Sequence, residues 1–224
     1  MMAAVLEAFN AESERLATVL AGLGPDDWAA PTRCEPWDAA ALTAHITMAV
    51  GRLDTMLDAP EPETATVDAA GYYRPDERFS PAENDARLDS AALAARTGGA
   101  AVAADFTATW RRVATRCAAA PTGRRVTTRH GDPMTLADFL TTRVVEVAVH
   151  GIDLADALDR PRWTTPEAAD RLTALLLGPE HRTALADLGM DAVAFLAKAT
   201  GRGAFTAAER ARAEAHGLRW LTLG

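Results

Sequence analysis

Between Leu136 and Asp159 the residues Leu136, Leu140, Val144, Val147, Leu154 and Leu158 recur at helical spacing, and a neighbouring strip carries Phe139, Glu146, His150 and Asp153. An apolar face of that length has to be buried, and its period buries it against other helices rather than within a sheet. Thr135-Leu136-Ala137-Asp138 reads as a capping box, with Asp138 reaching back to the start of the helix. The fold is therefore expected to be built around a helix that carries polar residues in or beside its core face.

Three helical regions precede it. Residues 2–22 keep Val5, Phe9, Leu16, Val19 and Leu20 at a spacing of three to four, and Gly22, Gly24 and Pro25 end the run before a loop at 26–36. Residues 38–57 present Leu42, His45, Ile46, Ala49, Val50, Leu53, Met56 and Leu57 as a stripe, with Asp38 as N-cap. Residues 82–119 continue the pattern through Val102, Phe106, Trp110, Val113 and Cys117, and Gly98-Gly99 kinks or splits the region. The Pro- and acid-rich stretch 58–80 reads as a long loop, a lid or a plain connection. Residues 121–133 read as loop with a short extended piece at 125–129, and helices are expected at 166–177, 190–200 and 206–216. No βαβ alternation and no internal repeat occurs. The reading is a mainly α chain: a four-helix bundle over 1–160 and a small, mostly helical C-terminal region over 161–224.

The formal charge of −8 and pI near 5.1 argue against a nucleic-acid partner. Two cysteines, Cys34 and Cys117, make no disulfide framework and no C-x-x-C, so a reduced, cytoplasmic compartment is expected. The N-terminus lacks a basic n-region, Glu7 interrupts its apolar run, and no stretch of eighteen apolar residues occurs, so neither signal peptide nor membrane span is expected. Of 23 basic residues 22 are Arg, the exception being Lys198. Alanine is also frequent. Both have GC-rich codons, which points to a high-GC bacterium.

Glu146 and His150 stand four residues apart and share a helix face. A buried, unpaired carboxylate is costly, and a divalent cation removes that cost. His45 offers a third ligand from another apolar stripe. Two imidazoles and one carboxylate form a zinc set that leaves a fourth position open, and the same donors admit Fe²⁺, Ni²⁺ or Mn²⁺. The Glu–His spacing alone also fits an ordinary intrahelical pair.

Three blocks carry a resemblance to a known family. The first is Trp28-x-x-Pro31-Thr32-x-Cys34-x-Pro36-Trp37 followed by Leu42-x-x-His45. The second is Met134-Thr135-Leu136, then Arg143-x-x-Glu146-x-x-x-His150-Gly151-x-Asp153-Leu154. The third is Phe195-Leu196-x-x-x-Thr200-Gly201-Arg202. Together they resemble the mycothiol-dependent maleylpyruvate isomerases of the DinB-like metalloenzyme superfamily. The resemblance implies an up-and-down four-helix bundle, a metal on His45, Glu146 and His150, and mycothiol as a low-molecular-weight thiol cosubstrate with its sulfur at the metal. It implies thiol addition to an electrophilic small molecule, rotation and thiol loss, hence isomerisation. Stopping at addition or substitution would make an S-transferase, and a non-catalytic small-molecule-binding protein is the other alternative. The family's isomerases carry a C-terminal domain with some sheet, whereas residues 161–224 read as helical. A monomer or weak homodimer is expected.

Other residues keep two readings. Arg202 matches a family arginine and either holds a substrate carboxylate or caps the helix ending at Thr200-Gly201. Asp153 either fixes the tautomer of His150 or is a solvated helix acid. Arg143 orients Glu146 or meets an anionic group, or makes a plain surface ion pair. Trp37 staples its helix to the core or faces the cosubstrate. Cys34 is a small packed side chain, a fourth ligand or a redox group, and Cys117 is packing. His130, His181 and His216 read as surface residues. The six arginines Arg111, Arg112, Arg116, Arg124, Arg125 and Arg129 read as a solvated face beside acids, or as a reception surface for an acidic substrate.

Overall fold

The computed structural model describes residues 2–75 and 81–221, with 81–84 as backbone only. Residues 76–80 of the expected loop and 222–224 of the expected C-terminal region lie outside the described residues. Helices α1 (Met2–Ala21), α2 (Pro25–Trp28), α3 (Ala39–Asp58), α4 (Pro81–Ala95), α5 (Gly99–Ala119) and α6 (Leu136–Ala157) are followed by α7 (Pro166–Leu177), α8 (His181–Leu188), α9 (Ala192–Ala199) and α10 (Ala207–Ala215). α1 and α3 each pack on both α5 and α6. The four close a ring in which α1 and α3 face each other across the core, and α4 lies along the outside of α3.

The stripes explain the ring. Val5, Phe9 and Leu16 of α1, Leu42, Ile46, Val50 and Leu53 of α3, Phe106 and Val113 of α5, and Leu140, Val144 and Val147 of α6 are buried together. Each such side chain contributes about 1.5–3 kcal/mol. Asp38 caps α3 by accepting the Ala41 N–H at 2.8 Å. Thr135 caps α6 by accepting the Asp138 N–H at 3.0 Å, while its own hydroxyl donates to the Asp138 carboxylate at 2.6 Å. The expected third helix is split: Gly98 has φ +91°, and a Cβ at Gly99 would run into the Trp28 indole.

Three features depart from the sequence pattern. The extended piece near 125 gains a partner, so β1 (Arg125–Thr127) pairs antiparallel with β2 (Pro133–Thr135), Val126 opposite Met134, and the hairpin leads straight into α6. The loop after α3 dips into the core at a 3-10 turn, Gly71–Tyr73, where Tyr72 and Tyr73 are buried and the Tyr73 hydroxyl donates to Thr142 O at 3.1 Å. Helix α8 starts at His181, which is buried rather than on the surface. Its Nε2 lies 2.9 Å from Asp170 Oδ1 and closes the corner between α7 and α8.

Residues on both sides of position 160 share one hydrophobic cluster, because α7 packs along α1 through Leu172 and Leu176. Between 161 and 221 the structure is helical without a strand. No helix among the described residues is long and apolar enough to cross a membrane.

Candidate metal centre and cavity

His45 sits two turns into α3, and Glu146 and His150 sit one turn apart on α6, where the two helices pack. Nε2 of His45 lies 3.6 Å and Nε2 of His150 lies 3.5 Å from the same Glu146 oxygen, Oε2. One donor atom from each residue falls within 4.8 Å of the others. The loop before α3 shapes the approach. Thr32 and Trp37 bond across it, N–H to O at 3.0 Å and hydroxyl to O at 2.8 Å, which sets the Trp37 ring against His45 with centroids 4.7 Å apart.

A second layer holds the first. Asp153 Oδ2 lies 2.9 Å from His150 Nδ1, and a carboxylate can only accept, so Nδ1 carries a hydrogen and Nε2 is the nitrogen that faces Glu146. Arg202 grips Asp153 with two parallel bonds, Nε to Oδ1 at 2.9 Å and Nη2 to Oδ2 at 2.8 Å, and donates Nη1 to Thr200 O at 2.5 Å. Cys34 donates its thiol to Asp153 Oδ2 at 3.4 Å. Behind Glu146 lies Arg143, fully buried. Its Nη1 donates to Ala49 O at 2.9 Å, Nε and Nη2 donate to Thr142 Oγ1, and Nη2 stands 3.7 Å from Glu146 Oε1. Phe139 lies under the guanidinium at 4.6 Å.

Burial pushes His45 down to about 4, more than its contact with Glu146 can offset. Burial acts the other way on Glu146, but the two imidazoles and Arg143 outweigh it and hold the carboxyl well below the usual range. Burial also opposes a charge on His150, yet Asp153, Cys34 and Glu146 lift it well above the ordinary histidine value. Asp153 is lowered: burial would raise it, and His150 and Arg202 prevail. The cluster thus concentrates negative charge around an imidazole, a charge pattern that a divalent ion between the three donors satisfies in place of a proton. Two imidazoles and one carboxylate with an open side are one of the ligand sets that catalytic zinc uses. The open side is a cavity of about 670 Å³, lined by all three residues and by Trp37, Cys34 and Arg202.

The sequence candidates fall into two groups. His45, Glu146, His150, Trp37 and Arg202 line the cavity, whereas Asp153 and Arg143 stand behind its wall. Neither of those two is solvated: Asp153 and Arg143 are 1% exposed, so the readings as a surface acid and a surface ion pair do not hold. Arg143 reaches the site through Glu146, Ala49 and the Tyr72 ring. Cys34 is half-buried at the cavity edge, and Cys117 is packed on α5, its thiol pushed up to about 12 by burial. His130, expected on the surface, is half-buried in the cavity wall, and His216 is half-buried 3.3 Å from Asp187.

Sequence reasoning passed over Arg33, Arg52, Arg87 and Tyr72, which also line the cavity. Arg52 carried a usable signal, standing seven residues after His45 on the same helix face. Of the six arginines from Arg111 to Arg129, four pair with acids outside the cavity: Arg112 and Arg116 with Asp54, and Arg124 and Arg125 with Glu61. Arg111 stacks over Trp110. Arg129 alone of the six lines the cavity, carried there by the β1–β2 loop.

The family model described as the mycothiol maleylpyruvate isomerase N-terminal domain matches residues 9–155. The chain belongs to this family. The match runs from within α1 to within α6 and takes in every residue of the triad. Uncharacterised proteins from two strains of Mycobacterium tuberculosis are 32% identical over 151 residues, 66% of this chain and 54% of theirs. The chain thus spans about half the length of the curated relatives it matches. Two crystal structures of a mycothiol-dependent maleylpyruvate isomerase, one of a histidine-to-alanine mutant, superpose with TM-scores of 0.55 and 0.57 at 16% and 15% identity. Each pairing covers 78% of this chain and 68% of the other. The likeness shows the shared helical fold.

Proposed function

We propose that the protein is a metal-dependent, thiol-using enzyme of the maleylpyruvate isomerase type, taking mycothiol as cosubstrate and isomerising an electron-poor double bond. The observation that carries this reading is the convergence of His45, Glu146 and His150 on one wall of a cavity large enough for two small molecules. Zinc is the ion that best suits two imidazoles and a carboxylate; bound there, it supplies the charge that keeps a thiol deprotonated at neutral pH.

The chain's own residues do the rest. Asp153 fixes the His150 ring and tautomer, and Arg202 fixes Asp153. Arg143 braces Glu146 from the protein side, so that carboxylate cannot swing away from the cavity. Trp37 holds His45 by stacking and walls the thiol's side of the cavity, excluding water from a reactive sulfur. Arg202 presents its remaining face to substrate oxygen atoms. On this reading residues 1–160 supply the metal ligands and 161–224 close the site through Arg202.

Metal analysis of the purified protein, followed by thiol-dependent assays on several electrophiles, tests the proposal. One ion per chain and turnover that needs both ion and thiol support it. Conjugates that accumulate without isomerisation would move the reading to an S-transferase. Absence of both metal and thiol binding would end it.

A further inference from the structure

The chain is acidic overall, yet among the described residues its main cavity is lined by five arginines, Arg33, Arg52, Arg87, Arg129 and Arg202, against two acids, Glu35 and Glu146. Arg202 is already paired, with Asp153. Arg52 stands apart. It is half-buried on α3, and its guanidinium makes no hydrogen bond or ion pair with any described residue. Burial first, and then the neighbouring cations Arg143 and Arg129, lower it to about 10, against the weaker pull of Tyr72 and the Glu146 carboxylate. A guanidinium kept half out of water beside like charges costs stability unless an anion meets it, and its planar fork suits a carboxylate or phosphate.

Position along the helix gives the ligand's reach. His45, Ala49 and Arg52 occupy successive turns of α3 and all line the cavity. Seven residues of helix rise roughly 10 Å, and the small Ala49 side chain leaves the path between the two ends open. Arg129 reaches the same end from the β1–β2 loop. Both arginines also line two smaller hollows that open beyond them, so a ligand is not cut short there.

We propose that Arg52, with Arg129, binds a terminal oxyanion of the electrophilic substrate at the end of the cavity away from the triad. The substrate is then a carboxylate- or phosphate-bearing molecule long enough to place its reacting carbon at the triad while its tail sits at Arg52. Naming the ligand as the electrophile rests on the enzyme reading above; the oxyanion subsite itself rests on Arg52 and the cavity.

Calorimetric titration of the full chain, metal-free and zinc-loaded, with inorganic phosphate and with linear dicarboxylates of about four to eight carbons tests this. Saturable binding is expected in both forms and in His45→Ala, weakened at least about tenfold in Arg52→Gln, and weakened in Arg129→Gln. The Arg52 variant removes a cation that pairs with no described residue, so circular dichroism and zinc content should match the parent. Phosphate retained with dicarboxylates rejected would assign the tail as phosphate, and the reverse as carboxylate. No binding by the parent overturns the proposal. So does equal binding by Arg52→Gln, or equal weakening by exposed Arg182→Gln, which would show a mere net-charge effect. A parent that binds dicarboxylate but no metal would remove the enzyme reading and leave the oxyanion subsite in place.

Discussion

Glu146 in the α3–α6 seam and Glu12 in the α1–α7 seam are both glutamates set into apolar helix faces, and their surroundings treat them in opposite ways. Glu12 is fully buried. Its Oε2 accepts the backbone N–H and the hydroxyl of Thr165, both at 2.7 Å, while Oε1 has no partner. No cation stands close enough to offset its burial, and its pKa is raised. Glu146 has two imidazoles and a guanidinium around it, faces a cavity, and is lowered. A carboxylate in an apolar stripe therefore marks a site only where other donors converge on it and open space adjoins it. Where neither holds, it is a clamp. Glu12 ties α1 to Thr165, the N-cap of α7, and so fastens the C-terminal helices to the bundle.

The sharpest way to break the contrast is His45→Ala. It should take bound metal from one ion per chain to none and abolish thiol-dependent turnover while helicity stays near the parent's, as read by elemental analysis, assay and circular dichroism. Next in size is Arg143→Met, which leaves Ala49 O and Glu146 without their brace. Urea unfolding should show a loss of about 3–5 kcal/mol, the range for breaking a buried charged network. Asp153→Asn should be smaller: it loosens His150 through its tautomer and should weaken zinc about 10–100-fold in chelator competition.

Glu12→Gln should give the smallest effect, and one visible only against pH. The raised folded pKa means Glu12 contributes stability fully below its ordinary value of 4.5 and loses it as pH rises through the raised value. The variant has no such loss, so its stability relative to the parent should grow with pH across that interval and then level off. A difference independent of pH would show that Glu12 is not titrating in the seam.

How much was legible follows the same physics. Helices with long stripes, α1, α3 and α6, could be read nearly to their ends, because period and caps are local. The triad was legible because His45, Glu146 and His150 each interrupt an apolar face. Helix α8 was not: no side chain caps its start, whereas Asp191 caps the equally short α9. Nor was the burial of Tyr72 and Tyr73, which lie in a loop that composition marks as surface. Arg143 and Asp153 look like solvated helix charges in sequence; only packing puts Phe139 under one and Arg202 on the other. Arg129 and His130 reach the cavity through a hairpin whose second strand has three residues and no strand signature of its own.

X-ray absorption at the zinc edge, on the zinc-loaded protein before and after mycothiol, reads out whether the triad holds the ion and the ion holds the thiol. Two imidazole nitrogens at about 2.0–2.1 Å and a carboxylate oxygen are expected, with one sulfur appearing at about 2.3 Å when the thiol is added. A first shell without two imidazoles, or one that gains no sulfur from saturating thiol, would contradict the proposed function.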